Sequence, residues 1–351
     1  MNQANIDFIQ YVLDRDRILP DTFGRIDWQD FMEFCHRHSI LGIVFDGMER
    51  SGQRVPRQVL FEWISYVENI KRQNKVINDR LVSIVNWFRV KGFRSVILKG
   101  QANALMYPKP ELRSPGDIDI WVDANRNDII RMVIKDYPRA HYSLHHIKMP
   151  VFSDVSVEVH YSPIYLIDRL ADKRLQHHIS SIAEGQFQNQ EMLDGVNIGC
   201  LTDEFNVVYQ LLHMYAHLFS TRNNFKQFVD YYYLLKKGFT NAQKRQIVAL
   251  MKEFKVLEYA KGMMWVMRNV LGLGGTYLIT EPDEKTGKAI LRESMHYGTF
   301  SKNKIIYVVE RFTANVRLMR LFPSQVLLSP LFLIWHQWWK LKMKFEIGLA
   351  R

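Results

Sequence analysis

The heptapeptide Gly116-Asp117-Ile118-Asp119-Ile120-Trp121-Val122 constrains this chain more than any other stretch, because it sets two aspartates into a run that otherwise alternates as a β-strand. Side chains of a strand point to opposite faces in turn, so Asp117 and Asp119 share one face and Ile118, Ile120 and Val122 the other. The apolar set is the core face. Aspartate is disfavoured in strands. Same-face neighbours two apart lie roughly 6.5 Å apart by backbone rise, a separation that a shared divalent cation spans. The competing reading is the solvated face of an edge strand; the basic, small-residue run Arg113-Ser114-Pro115 and Gly116 just before the aspartates weigh against it.

A second run, Val155-Ser156-Val157-Glu158-Val159-His160-Tyr161, alternates in the same way, with the valines on one face and Ser156, Glu158 and His160 on the other. If the two strands are neighbours, Glu158 joins the aspartates. Three carboxylates on one sheet face repel each other unless positive charge sits among them, and Mg²⁺ or Mn²⁺ is the usual solution. A two-metal site suits phosphoryl or nucleotidyl transfer, since the ions stabilise both the attacking and the leaving oxygen.

The order of these residues resembles a known family. A strand ending in Leu98-Lys99-Gly100, a helix from Gln101 to Tyr107, then Arg113-Ser114-Pro115-Gly116-Asp117-Ile118-Asp119 and a strand with Glu158 is similar to the nucleotidyltransferase superfamily related to DNA polymerase beta. More narrowly it resembles an uncharacterised bacterial nucleotidyltransferase group. The likeness extends from the helical leader around Ile26-Asp27-Trp28 to the later segment Leu211-Leu212-His213 through Asp230-Tyr231. The resemblance implies that Asp117 and Asp119 hold the metals and that Glu158 is the third carboxylate, polarising an acceptor hydroxyl. Lys99 and Gly100 would lie at the triphosphate, and His217 and Asp230 would face the nucleotide cleft. The chain departs from the superfamily at Gly100-Gln101, where many members have Gly-Ser with a phosphate-binding hydroxyl. Gln101 can donate through its amide, and glycine still lets the backbone approach an anion. Arg113, with Ser114 beside it, is the forked candidate to grip phosphate oxygens; His160 shares the Glu158 face and is a candidate for substrate or phosphate.

Around this core the pattern is helical. After Val55-Pro56 no glycine or proline occurs until Gly92, and Leu60, Trp63, Ile64, Val67, Ile70, Ile77, Leu81, Ile84, Val85 and Phe88 recur at spacings of three and four, giving one long helix or two in tandem. Strands are expected at Ser95 to Leu98, Ile118 to Val122, His145 to Phe152 and Val155 to Tyr161, with Ser153-Asp154 as a tight connection between the last two. Thr202 or Asp203 caps a helix through Phe219, a second runs from Asn224 to Lys237, and a third from Asn241 through Leu271. Gly272-Leu273-Gly274-Gly275 breaks the last and reads as a linker, not a phosphate loop. His213 and His217 lie four apart on one helix, a chelating spacing without a third ligand, and read as packing residues.

Composition and charge bound the rest. A chain of 351 residues, 47% apolar and 24% charged, is ordinary globular protein long enough for two or three domains. Cys35 and Cys200 are too few for a disulfide framework or a thiolate metal site and fit a reducing cytosol. The opening residues MNQANIDFIQ lack a basic stretch followed by an apolar run, so a secretory signal is not expected, and no run approaches the roughly 20 apolar residues of a membrane span. Of the net charge of +11, the residues from Ser301 to Arg351 hold nine Lys or Arg against Glu310 and Glu346. There Val326 to Trp339 is apolar and aromatic, followed by Lys340, Lys342 and Lys344: a helix buried against the protein or a partner, or one lying at a membrane surface.

The expectation is therefore a cytoplasmic α/β (α+β) protein: a helical N-terminal region over 1–92, a mixed-sheet nucleotidyltransferase core over 93–200 and an all-helical region over 201–351. It would transfer an NMP from an NTP, ATP foremost, to an acceptor hydroxyl on a small molecule, a tRNA end or a protein, with Mg²⁺ or Mn²⁺ at Asp117, Asp119 and Glu158. The nucleotide would meet Lys99, Gly100, Gln101, Arg113, Ser114 and His160. The alternatives are a catalytically silent nucleotide-binding or toxin–antitoxin module of the same fold, and a membrane-associated scaffold acting through residues 324–351.

Overall fold

A computed structural model describes residues 1–298 and 303–346. Lys302 and the last five residues of the basic segment, Arg351 among them, lie outside the described residues, as do the side chains of Lys304 and Lys344. The protein is mixed α/β. Helices α1 (Gln3–Leu13), α2 (Trp28–Arg37), α3 (Leu41–Ser51) and α4 (Arg57–Val90) lead into strand β1 (Ser95–Ile97), α5 (Gln101–Ala104), β2 (Ile118–Val122), α6 (Arg126–Asp136), β3 (His146–Lys148) and β4 (Val157–His160). Helix α7 (Arg169–Gln188) and the hairpin β5 (Gln190–Leu193) and β6 (Val196–Cys200) complete the sheet region. Then come α8 (Asp203–Leu218), α9 (Phe225–Lys236), α10 (Asn241–Glu253), α11 (Leu257–Asn269), α12 (Glu284–Met295), α13 (Lys304–Leu318) and α14 (Pro323–Glu346).

The six strands form one mixed sheet in the order β3-β4-β2-β1-β6-β5. Strands β2 and β4 run parallel, in a register that sets Asp119 opposite Glu158. β1 is antiparallel to β2 and parallel to β6. Strand β2 is thus central, and all five of its residues are buried. Its alternation sorts the core: Ile118, Ile120 and Val122 join Ile77, Leu81, Ile84 and Phe88 of α4 and Ile129, Ile130 and Val133 of α6 on one face. On the other face Trp121 meets Phe187 of α7, ring centroids 4.6 Å apart, within the larger helical core.

The expected amphipathic run after Pro56 is one helix of 34 residues, about 51 Å long at 1.5 Å per residue. Val59, Trp63, Val67 and Ile70 pack in the helical core and Ile77 onward under the sheet. At the crossover sits Asn74, a buried polar residue whose amide donates to the Glu111 and Arg113 carbonyls, both at 2.8 Å.

The structure departs from the sequence expectations at several elements: helices α6 and α7 were not expected, and α5 and β3 are shorter than the Gln101 to Tyr107 helix and the His145 to Phe152 strand. The helix expected from Asn241 through Leu271 is two, α10 and α11, because the chain reverses at Lys255, φ +59. The Val256 N–H closes onto the Met251 carbonyl, a left-handed helix stop that carries Phe254 and Val256 into the core. The β3–β4 connection is not a tight turn at Ser153-Asp154: the last ladder pair is Lys148 with Glu158, and Asp154 instead pairs with Arg80 at 2.9 Å. The β5–β6 hairpin was not expected, although Asp194-Gly195, at φ +48 and +81, is the dipeptide that such a two-residue turn favours.

Candidate active site

Parallel pairing of β2 with β4 brings the carboxylates together, since residues opposite each other in register point to the same face. Ligand atoms of Asp119, Glu158 and His160 lie within 4.8 Å of one another. Asp119 is buried, with His160 Nε2 3.1 Å from Oδ1 and Lys99 Nζ 3.2 Å from Oδ2. Burial opposes its ionisation, but Lys99 and His160 outweigh that and hold its carboxyl well below the usual range. Glu158 behaves oppositely: burial, then the Asp119 and Asp117 charges, raise its pKa. Lys148 Nζ at 3.4 Å is its ion-pair partner, and His146 Nε2 lies 3.5 Å from it. Asp117, just ahead of β2, is half-buried and stands outside that close group. A second group, His145, His146 and His160, also offers nitrogens within 4.8 Å of one another. Burial keeps His145 and His146 neutral, His146 down to about 3, as a ligand imidazole must be.

Two cavities meet over these side chains and share Lys99, Asp117, Tyr209, His213 and His217. One, of about 330 Å³, is lined by Gly100, Arg113, Gly116, Lys226 and Asp230 among others. The other, of about 470 Å³, holds Asp119, Glu158, His145, His146 and His160 beneath apolar residues including Ile164, Tyr165, Phe332 and Leu333. Gly100 makes the junction possible: it has φ +66, and a Cβ there would stand 3.3 Å from the Asp117 carbonyl oxygen. The four-residue helix α5 begins just after it, next to the start of β2.

A family described as uncharacterised nucleotidyltransferase matches residues 24–272, from the helical leader through α11 and including every residue of both carboxylate strands. The chain belongs to that family. No curated protein matches it. Among solved structures, an antigenic nucleotidyltransferase-like protein from Paracoccidioides brasiliensis is 12% identical, the match covering 54% of this chain and 93% of that one at a TM-score of 0.31.

Within this nucleotidyltransferase-family chain, the residues expected at the nucleotide have distinct surroundings. Lys99 reaches both cavities, and its Nζ lies 3.5 Å from His213 Nε2. Burial works against its ammonium, but the Asp119 and Asp117 charges more than compensate, raising its pKa. Arg113 is buried with its fork turned to Asp230, Nε to Oδ1 at 2.7 Å and Nη2 to Oδ2 at 2.8 Å. Tyr107 and Asn103 donate to the same carboxylate at 2.6 and 3.1 Å. Two of the Arg113 nitrogens expected at phosphate are therefore committed to α9. Gln101 turns its amide to Asn74 and Asn78 of α4, so its side chain braces the turn after β1. Ser114 meets Lys226 Nζ through its carbonyl at 3.5 Å. His160 spends Nε2 on Asp119. His213 and His217, whose spacing read as packing although the resemblance set His217 at the cleft, line both cavities, with their Nε2 atoms 3.2 Å apart.

The sequence reading missed Lys226. It lies in the first turn of α9, over the Ser114-Pro115 carbonyls, and burial followed by Arg113 pushes its pKa down to about 8. A cation in a first helical turn opposes the helix dipole, and that mismatch was the available signal. His146 gave none, since its place opposite His160 comes from the β3–β4 register, and neither did His145, which lies just ahead of β3.

Proposed function

We propose that this protein transfers a nucleoside monophosphate from an NTP, with ATP the first candidate, to an acceptor hydroxyl. The observation that carries the reading is the in-register pairing of Asp119 with Glu158 on parallel strands, their ligand atoms within 4.8 Å of each other and of His160. Buried carboxylates so close fit a divalent cation, and Asp117, Asp119 and Glu158 are the residues that would hold Mg²⁺ or Mn²⁺. That ion would neutralise charge building up on the α-phosphate and on the departing oxygen.

The triphosphate fits the polar cavity, where Lys99 and Lys226 supply charge and Gly100 allows close backbone approach. The acceptor fits the second cavity, which contains Glu158. The acceptor oxygen attacks the α-phosphorus in line, its bond to phosphorus forms as the bond to the β-phosphate oxygen breaks, and pyrophosphate leaves. Glu158, which lines that second cavity, is placed to receive the hydroxyl proton. Such chemistry draws on the nucleotide pool of the cytoplasm.

Lys99 beside Asp119 is the observation that favours the alternative, a silent nucleotide-binding module in which the ammonium takes the place of a metal. Incubation with NTP labelled at the α-phosphorus, Mg²⁺ or Mn²⁺, and cell extract separated into RNA, protein and metabolites decides between them. The transfer reading expects label in one fraction with the wild type and none with Asp119→Asn. NTP binding with no label in any fraction refutes transfer and supports the silent module.

A further inference from the structure

The last two described helices present an apolar surface to solvent. Eleven of the eighteen large apolar side chains exposed among the described residues fall between Ile306 and Leu341. On α14 they follow helical spacing: Leu327, Leu331, Ile334, Trp338 and Leu341 form one stripe, each 57–71% exposed. Val309, Phe312 and Val316 form a second on α13. The opposite face of α14 is already used, with Trp339 and Met343 buried under the sheet and Phe332 stacked on Tyr165 at 5.5 Å. The stripes are therefore not core residues awaiting a place in this fold. At roughly 100 Å² each, the five side chains of the α14 stripe alone expose on the order of 500 Å², already the size of the largest patch on an ordinary monomer.

Charge selects what covers them. Residues 303–346 contain seven Lys or Arg against Glu310 and Glu346. Lys340 and Lys342 flank the end of the α14 stripe, with Lys342 Nζ 5.9 Å from the Trp338 ring. Leucine, isoleucine and tryptophan on a helix edged with lysine match the boundary between acyl chains and anionic headgroups. No helix among the described residues is long and apolar enough to cross a membrane, so this pair would lie on one.

We propose that the α13–α14 pair docks on an anionic lipid surface through these stripes. Ser329, Phe332 and Leu333 of α14 line the cavity that holds Glu158, so docking brings that cavity within a helix width of the headgroups. The proposal stands on the surface alone and does not require nucleotidyl transfer.

Flotation of the full chain with phosphatidylcholine vesicles, with and without phosphatidylglycerol, tests it. The expected result is flotation with the anionic vesicles, at least tenfold weaker for Leu331→Glu/Ile334→Glu/Trp338→Glu and weakened by salt for the wild type. Lys340→Glu/Lys342→Glu, which leaves the stripe intact, should reduce it as well, and circular dichroism confirms that each variant is folded. Absence of flotation, equal flotation of folded variants, or concentration-dependent dimerisation abolished by the stripe variant overturns the proposal, the last by assigning the face to a second copy.

Discussion

Replacing Asp230 with asparagine tests whether the Arg113 fork is a structural tie rather than a free phosphate grip. Asp230 is 4% exposed and takes hydrogen bonds from Arg113, Tyr107 and Asn103. Asparagine keeps the shape but has one acceptor oxygen and turns an amide donor toward a donor of Arg113 or Asn103. It also leaves the Arg113 guanidinium buried without its counter-charge. Removing one member of a buried ion pair costs about 3–5 kcal/mol. With an unfolding entropy of about 2.1 cal/mol/K per residue, 351 residues turn that loss into a fall in Tm of roughly 4–7 °C. Thermal unfolding followed by circular dichroism reads it. A double-mutant cycle with Arg113→Met should show coupling well above the additive expectation. Were the Tm of Asp230→Asn within about 1 °C of wild type, or the two substitutions additive, the tie would be energetically idle and the account of Arg113 would fail.

Other consequences are equally direct. Because Lys226 has its pKa lowered to about 8, it is charged below that value and neutral above it. NTP affinity by calorimetry should fall as pH rises through 8, and Lys226→Met should bind less tightly and flatten the profile; an unchanged profile in the variant would remove Lys226 from the site. Gly100→Ala forces φ +66 on a residue whose Cβ would crowd the Asp117 carbonyl; a stability loss of about 1–3 kcal/mol and weaker NTP binding should appear together, and a neutral effect on both would refute the role given to this turn. Asn74→Ala leaves the Glu111 and Arg113 carbonyls without their shared donor, so urea denaturation should show a loss of about 1–3 kcal/mol.

What the sequence disclosed follows from where the information is local. Strand β2 and the long helix α4 were legible because a period of two or of 3.6 persists over enough residues to be read. Helix α7 was not, because its buried residues are widely spaced among polar ones, and β5 was not, because three of its four residues are exposed and none alternates clearly. The carboxylate pair was half legible. Alternation placed Asp119 and Glu158 on their faces, but their adjacency depends on a pairing register set by strands some forty residues apart. Arg113 shows the limit most plainly, since its partner lies 117 residues further along the chain. Its type and position suggested a phosphate grip, and tertiary packing gave it Asp230.

The central claim is that Asp119 and Glu158 jointly bind a divalent cation when nucleotide is present. Titration of the wild type and Glu158→Gln with Mn²⁺ and a non-hydrolysable NTP, read by electron paramagnetic resonance, addresses it without requiring turnover or an identified acceptor. The account predicts nucleotide-dependent Mn²⁺ binding weakened at least tenfold by loss of the Glu158 charge, about 1.4 kcal/mol. Equal Mn²⁺ affinity in the two proteins, or no binding in either, would contradict it.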